Sequence, residues 1–227
     1  MIEQLLAPPV VAVQAFTDPV DSPMLFAEEE ALIVRAVDSR RREFGTVRAC
    51  ARSALSGLEI APAPILPGPQ GAPAWPDGVV GSMTHCAGYR AAAVARAADL
   101  LTIGLDAEPH EPLPGSELDV VALPEERSRL SGLAARRPQI CWDRLLFSTK
   151  ESVYKAWFPL TNRWLGFEEA SVTIDPNAGT FRARLLVPGP VIGGDRLQGF
   201  DGRWLVRNGL VLTAVTVAPG SADLAKA

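Results

Sequence analysis

The period of the hydrophobic pattern changes several times along this 227-residue chain. Over residues 26–58 it is helical: Leu32, Ile33, Ala36 and Val37 recur at helical spacing behind Glu28, Glu29 and Glu30, an acidic run that favours a helix N-terminus. Gly45 is expected to break this run and Gly57 to end it. Before it, residues 1–23 carry prolines and predict an irregular or edge-strand lead-in. After it, residues 61–78 are rich in Pro and Gly and predict a loop. A short strand is expected from Val79 and Val80 up to a polar turn at GSMTHC, followed by strands over 89–96 and 100–105. A proline-bearing loop then covers 109–124. A charged helix is predicted over 125–136, and a longer one over 140–158, interrupted at Pro159. Residues 172–174, 181–187, 204–207 and 210–217 read as strands, with Asn208-Gly209 as a hairpin turn between the last two. Helices beside antiparallel-looking strands in each half predict an α+β fold. No internal sequence repeat is visible.

Composition narrows the function. A chain of this length buries a sizeable core, and its 48% hydrophobic content is ordinary for a globular protein. No apolar stretch approaches the roughly 20 residues that span a bilayer, and MIEQLLAPPVVAVQAF lacks the positive start of a signal peptide. Cys50, Cys86 and Cys141 are odd in number and lack metal-site spacing, which predicts free thiols and a cytoplasmic location. The net charge of −4 argues against nucleic acid as a partner. Locally the balance reverses: Arg35, Arg40, Arg41, Arg42, Arg48 and Arg52 face only Asp38 and Glu43 over residues 35–52, a candidate anion site.

The candidate chemistry lies in three blocks. Asp106 and Glu108 stand at i and i+2 and share a strand face. Paired carboxylates repel unless a cation lies between them, and carboxylates with substrate phosphate are the usual ligands of Mg²⁺. Alone, such a pair is also what a solvated strand end looks like. Glu151 is flanked by Lys150 and lies one helical turn before Lys155. It can complete a metal site or act as general base, directly or through a water held by the metal, although a plain surface ion pair has the same spacing. His85 follows Ser82 and Thr84, and hydroxyls, amides and an imidazole all serve as donors to phosphate. The bland alternative is a core histidine satisfied by a carbonyl. His110 is expected to be structural or exposed, and Cys86 to be a small buried residue without a base partner.

GSMTHC, IGLDAE and FSTKESVYKAWFPLTNRWLGFEEA, in this order and spacing, resemble the signature blocks of the Sfp-type 4′-phosphopantetheinyl transferases, most closely the subgroup of the enterobactin-synthetase component D enzymes. The resemblance runs from about residue 40 to 217. It implies two similar α/β halves packed as an intramolecular pseudo-dimer with the active site between them, divided here at 104/105 into residues 1–104 and 105–227. It implies transfer of the phosphopantetheine arm of coenzyme A to a serine of an apo acyl or peptidyl carrier protein. It assigns metal binding to Asp106, Glu108 and Glu151, with Mg²⁺ expected and Mn²⁺ as an alternative. Glu151 is also the candidate base. Lys155 and His85 are assigned to the phosphate chain, while the role of Lys150 is left open. Arg40 and Arg48 match positions that contact the adenosine 3′-phosphate region. Pro67, Gly68, Pro69 and Gln70 match a CoA-contacting loop, but Pro67 and Gln70 stand where basic residues are usual. Ser82, Thr84, Asp106 and Trp164 complete the expected CoA set; Trp164 packs beside the ligand or in the core. Trp75-Pro76 also match family positions.

A monomer is expected. A carrier-docking face is expected at 127–144, where Arg127, Arg129, Arg136, Arg137 and Arg144 accompany Leu130, Leu133 and Ile140; a solvated helix face has the same pattern. Two other functions share these residues: a metal-dependent phosphohydrolase, and a non-catalytic CoA- or carrier-binding module. A pure binder has no need of a base beside the metal.

Overall fold

The computed structural model describes residues 1–19 and 24–220. In chain order the elements are β1 (Val11–Ala15), α1 (Ala27–Leu32), α2 (Asp38–Gly57), β2 (Val79–Cys86), β3 (Tyr89–Arg96), β4 (Thr102–Pro109), α3 (Glu117–Val121), α4 (Pro124–Arg136), α5 (Trp142–Thr161), β5 (Ala170–Asp175), β6 (Thr180–Leu185), β7 (Val191–Ile192), β8 (Asp195–Arg196), β9 (Gly199–Arg207) and β10 (Leu210–Val217). Two antiparallel sheets carry the fold. The first has strand order β1-β3-β2, the second β4-β10-β9-β6-β5; β7 and β8 form a small separate ribbon.

Each half lays a 20-residue helix on one face of its sheet. Ala51, Ala54 and Leu55 of α2 pack on Ala92 and Val94 of β3 and on Ile65. Leu145, Val153 and Trp157 of α5 pack on Val172, Phe181, Val211 and Val215. The opposite faces meet each other: Ala91, Ala93 and Ala95 of β3 join Ile103, Leu105 and Ala107 of β4 and Leu212 and Ala214 of β10 in one buried cluster. This double burial explains the alanine-rich sequence of β3. Seven of its eight residues are buried, and small side chains on both faces let α2 and β4 approach together. The α+β class and the packing of two helix-on-sheet halves agree with the expected pseudo-dimer.

Several boundaries differ from the sequence reading. The expected 26–58 helix is two helices, because the chain turns at 33–37, and Gly45 lies buried inside α2 without breaking it. Gly57 does end it, and a Cβ there would meet Val11 Cγ1 at 2.7 Å. β2 continues through His85 to Cys86, so GSMTHC is strand, not turn. The acidic pair lies within β4, not after it, and the expected 104/105 division falls inside this strand, all of which pairs with β10. The proline-bearing loop contains α3. α5 runs on through Pro159 to Thr161, where Asn162 adopts a left-handed conformation (φ 51°) and caps onto Phe158 O. Pro159 has no N–H to return to the Lys155 carbonyl, so one i→i−4 bond is missing from the end of α5. Part of the 1–23 lead-in, residues 20–23, lies outside the described residues; the rest includes β1, an edge strand as expected. Asn208 (φ 54°) and Gly209 (φ 73°) form the β9–β10 hairpin, both with positive φ as such a turn requires.

One close approach fixes α5 over β4. A Cβ on Gly104 would lie 1.9 Å from Ser152 O and 2.9 Å from Ala156 N. Only glycine allows the helix backbone to sit directly on the strand. Gly104→Ala is therefore expected to force α5 away and to cost about 1–3 kcal/mol or more. Denaturant unfolding checks this; a midpoint equal to wild type would show that α5 is not seated through this contact.

Candidate active site

The close seating at Gly104 sets Asp106, two residues on and on the same face of β4, against α5. Lys155 Nζ reaches Asp106 Oδ1 at 2.6 Å and Leu105 O at 3.1 Å. Asp106 is buried at 4% exposure, and its second oxygen, Oδ2, has no hydrogen-bond partner. Glu151, one turn before Lys155, has its carboxyl raised above the usual carboxylate range by burial and by the negative charge of Asp106, with Lys155 opposing. Glu108 is pushed up to about 7, again by burial and then by Asp106, although Arg144 opposes. Asp106 is thus the common negative neighbour of both glutamates.

The three carboxylates do not converge into one ligand cage; among the described residues no group of three acidic, His or Cys side chains is gathered for a metal. Glu108 is turned to Arg144, whose Nη1 donates to Glu108 Oε2 at 3.0 Å while Nε and Nη2 bond Glu111 O and Pro112 O. An orphaned, buried carboxylate oxygen near a second carboxylate whose ionisation is disfavoured nevertheless fits a divalent cation. Such ions commonly use one or two protein carboxylates and take their remaining ligands from substrate phosphate and water.

Glu151 and Lys155 open into a cleft of about 710 Å³ between the halves. Arg40, Arg48, His85 and Lys155 line it, and among the described residues Glu151 is the only carboxylate that does. Such a wall suits a polyanion. Pro67, Gly68, Pro69 and Gln70 form part of it, held as a tight loop by Gly68 N donating to Ala72 O at 2.6 Å and by the Pro67–Pro73 bridge. Trp75 also lines the cleft and donates Nε1 to Gly81 O at 2.9 Å. Ser82 contributes to the wall, whereas Thr84, Asp106, Glu108 and Trp164 do not. The Ser82 and Thr84 hydroxyls point across the seam and accept from Leu105 N and Ala107 N, each at 3.0 Å. Trp164 is neither core nor in the cleft. It is 68% exposed, tilts against Tyr154 with ring centroids 4.9 Å apart, and borders a smaller cavity of about 140 Å³ that Glu151 and Tyr154 share with the cleft.

At the cleft mouth Arg40 Nη1 lies 2.9 Å from His85 Nε2 and 2.9 Å from Glu43 Oε2. An arginine N–H can donate only to an unprotonated imidazole nitrogen, which leaves the His85 proton on Nδ1. Burial and the charges of Arg40, Lys155 and Arg90 hold His85 below its ordinary value, against Glu43. His85 therefore offers a neutral N–H at pH 7. Arg48 is largely structural: Nε donates to Ile65 O at 3.1 Å, and its guanidinium stacks on Phe44 at 3.2 Å. It faces Glu29 at 3.5 Å, a fully buried carboxylate that also binds Arg52 and the amides of Phe26 and Ile65. Burial lowers Arg48 to about 10. Glu29 and Glu43 were not legible as site residues. Glu43 at i+3 from Arg40 and Tyr154 at i+3 from Glu151 were signals that helical spacing offered.

The structure closes the question of Lys150. It is buried, and its ammonium donates to Glu126 Oε2, Val121 O and Phe167 O at 2.7–2.8 Å, on the side of α5 away from Asp106. Glu126 in turn accepts from Leu123 N and Val172 N. The expected docking arginines are also largely engaged within the protein. Arg127 pairs with Asp119 at 2.7 Å, Arg129 bonds Val172 O and Thr173, Arg137 bonds Pro176 O and Asn177, and Arg144 holds Glu108. Of the two expectations for His110, structural or exposed, the structure shows the first: its Nε2 accepts from Cys141 N.

Comparison with known families agrees with this geometry. Residues 28–95 match the 4′-phosphopantetheinyl transferase N-terminal domain, and residues 102–193 match the 4′-phosphopantetheinyl transferase superfamily. The chain belongs to the 4′-phosphopantetheinyl transferases. It is 61% identical over 220 residues to the 4′-phosphopantetheinyl transferase Svp of Streptomyces mobaraensis, covering 96% of this chain and 89% of that one. It is 50% identical to PptT of Mycobacterium tuberculosis over 194 residues, covering 84% and 85%. It is 49% identical to Npt of Nocardia iowensis over 226 residues, covering 96% and 100%. Enzymes of this family transfer phosphopantetheine from coenzyme A to carrier proteins and are generally metal-dependent. As a transferase of this kind, the chain is an enzyme and not a binding module. Among the described residues no helix is long and apolar enough to cross a membrane.

The two lysines of α5 separate experimentally. Lys150→Met should lower stability by about 3–5 kcal/mol, because Glu126 would be left buried without its cation. Equilibrium unfolding measures this. A loss under 1 kcal/mol would show that the Lys150–Glu126 pair does not hold α4 to α5.

Proposed function

We propose that this transferase is Mg²⁺-dependent, belongs with the enterobactin-synthetase component D-like enzymes, and modifies acyl or peptidyl carrier proteins of fatty-acid, polyketide or nonribosomal-peptide synthesis. The observation that carries the reading is the floor of the cleft. Lys155 links a cation-lined cavity to a buried carboxylate with one unpartnered oxygen, beside a second carboxylate raised in pKa.

Asp106 and Glu151 would hold the cation, with Glu108, restrained by Arg144, as an outer contributor. When bound, the divalent cation, Mg²⁺ or Mn²⁺, neutralises charge gathering on the diphosphate oxygens. Coenzyme A lies along the cleft. Arg40 takes its 3′-phosphate, with Arg48 shaping the pocket behind it. His85 and Lys155 donate to the diphosphate, and the loop of Pro67, Gly68, Pro69 and Gln70 offers backbone contacts in place of charge. Trp164 and Tyr154 flank Glu151 where the carrier serine enters. Glu151 takes the serine proton as general base. The serine Oγ bonds to the β-phosphorus, and the P–O bond to the α-phosphate breaks. Adenosine 3′,5′-bisphosphate leaves with that electron pair, and Lys155 stabilises its charge. We infer a cytoplasmic monomer, consistent with three free cysteines, and no nucleic-acid or membrane partner.

The deciding experiment incubates protein, coenzyme A, Mg²⁺ and an apo carrier and weighs the carrier. Gain of the phosphopantetheine mass supports the reading; consumption of coenzyme A with an unmodified carrier would indicate hydrolysis instead. Glu151→Gln keeps the size but loses proton acceptance, and should lower kcat by about 10²–10⁴-fold; near-normal turnover would place the base elsewhere. Arg40→Ala should raise KM for coenzyme A much more than for dephospho-coenzyme A, which lacks the 3′-phosphate. Equal increases for both would reject that contact. Arg48→Ala should in addition lower the melting temperature, since it uncovers Glu29.

A further inference from the structure

β4 is an edge strand. It pairs with β10 on one side, Asp106 standing opposite Thr213. Among the described residues no strand continues the ladder on its other side, and buried amides there need acceptors. Two side chains supply them. Leu105 N donates to Ser82 Oγ and Ala107 N to Thr84 Oγ1, each at 3.0 Å, and both hydroxyl-bearing residues are buried, at 4% and 3% exposure. The spacing matches: Ser82 and Thr84 lie two apart on β2, and Leu105 and Ala107 lie two apart on β4. The two bonds therefore bracket Asp106. A third tie comes from Lys155 Nζ, which bonds Leu105 O as well as Asp106 Oδ1.

We propose that Ser82 and Thr84 are positioning residues for Asp106. Their hydroxyls fix the β4 backbone on both sides of this residue, so that with Oδ1 held by Lys155 the unpartnered Oδ2 stays presented to a divalent cation. The inference rests on the reading of Asp106 as a cation ligand, and it replaces phosphate contact as the role of the two hydroxyls. The two roles leave different marks. A phosphate donor acts on the affinity for coenzyme A. A residue that positions a carboxylate acts on metal affinity and on kcat.

The test uses the full chain with Ser82→Ala and Thr84→Val, which remove one acceptor each, and Thr84→Ser, which keeps it. Free Mn²⁺ is followed by electron paramagnetic resonance at saturating coenzyme A without carrier. KM for coenzyme A, kcat with an apo carrier and the melting temperature are measured alongside. Ser82→Ala and Thr84→Val are each expected to weaken Mn²⁺ binding about tenfold, within the range for loss of one buried acceptor, and to lower kcat. At saturating Mg²⁺, where linkage between metal and coenzyme A no longer shows, KM for coenzyme A should change by less than about twofold, and Thr84→Ser should bind Mn²⁺ as wild type does. If Thr84→Val does not fold, Ser82→Ala, the smaller change, decides. A fall in melting temperature with unchanged Mn²⁺ affinity would overturn the inference, as would a raised KM for coenzyme A with unchanged Mn²⁺ affinity. A wild-type protein that binds no Mn²⁺ under these conditions would overturn the reading of Asp106 itself, and the inference with it.

Discussion

Everything at the site depends on how closely α5 lies on β4. Gly104 has no side chain to hold the helix off, and the Ser152 carbonyl occupies the space a Cβ would need. With the helix at that distance, Lys155 reaches the strand and bonds both Asp106 and the Leu105 carbonyl. A helix standing further off would leave the lysine short of Asp106 and Glu151 too far from it to feel its charge. The contact is also what joins the halves chemically. β4 belongs to the second sheet, packs its other face on β3 of the first, and has its free edge closed by β2 hydroxyls.

Around that contact the charges fall into two separate systems on one helix. Lys150 and Glu126 form a closed, fully hydrogen-bonded pair on the side facing α4, a geometry that makes a buried ion pair tolerable. Lys155 and Glu151 face the cleft, where Asp106 keeps one oxygen unpartnered and both neighbouring glutamates resist ionisation. Incomplete satisfaction of this kind marks a place built to receive something. Adjacent positions 150 and 151 thus face two different surroundings, the α4 contact and the cleft.

Much of this was legible in the sequence. β3 and β10 were read with their observed limits, and the Asn208-Gly209 hairpin was clear because left-handed residues have few other uses. Asp106, Glu151, Lys155, His85, Arg40 and Arg48 were all singled out, the first three by helical and strand spacing, the arginines and the roles by family resemblance. What the pattern hid was three-dimensional. Periodicity could not show that the chain turns at 33–37, because Ile33 there is buried much as a helical residue would be. It could not show that Glu29 is buried, since an acidic run at a helix start ordinarily faces solvent. Nor could it show that Ser82 and Thr84 spend their hydroxyls on a neighbouring strand's amides, or that the arginines of 127–144 bond mainly to carbonyls and carboxylates of their own chain. Each depends on a partner far away in sequence.

The central claim is that Asp106 and Glu151 share a divalent cation at the seam. Anomalous diffraction from crystals grown with Mn²⁺ and coenzyme A tests it directly. The account predicts a peak in ligand contact with both carboxylates and with the diphosphate. A peak held by other side chains, or none at Asp106 with coenzyme A bound in the cleft, would contradict it.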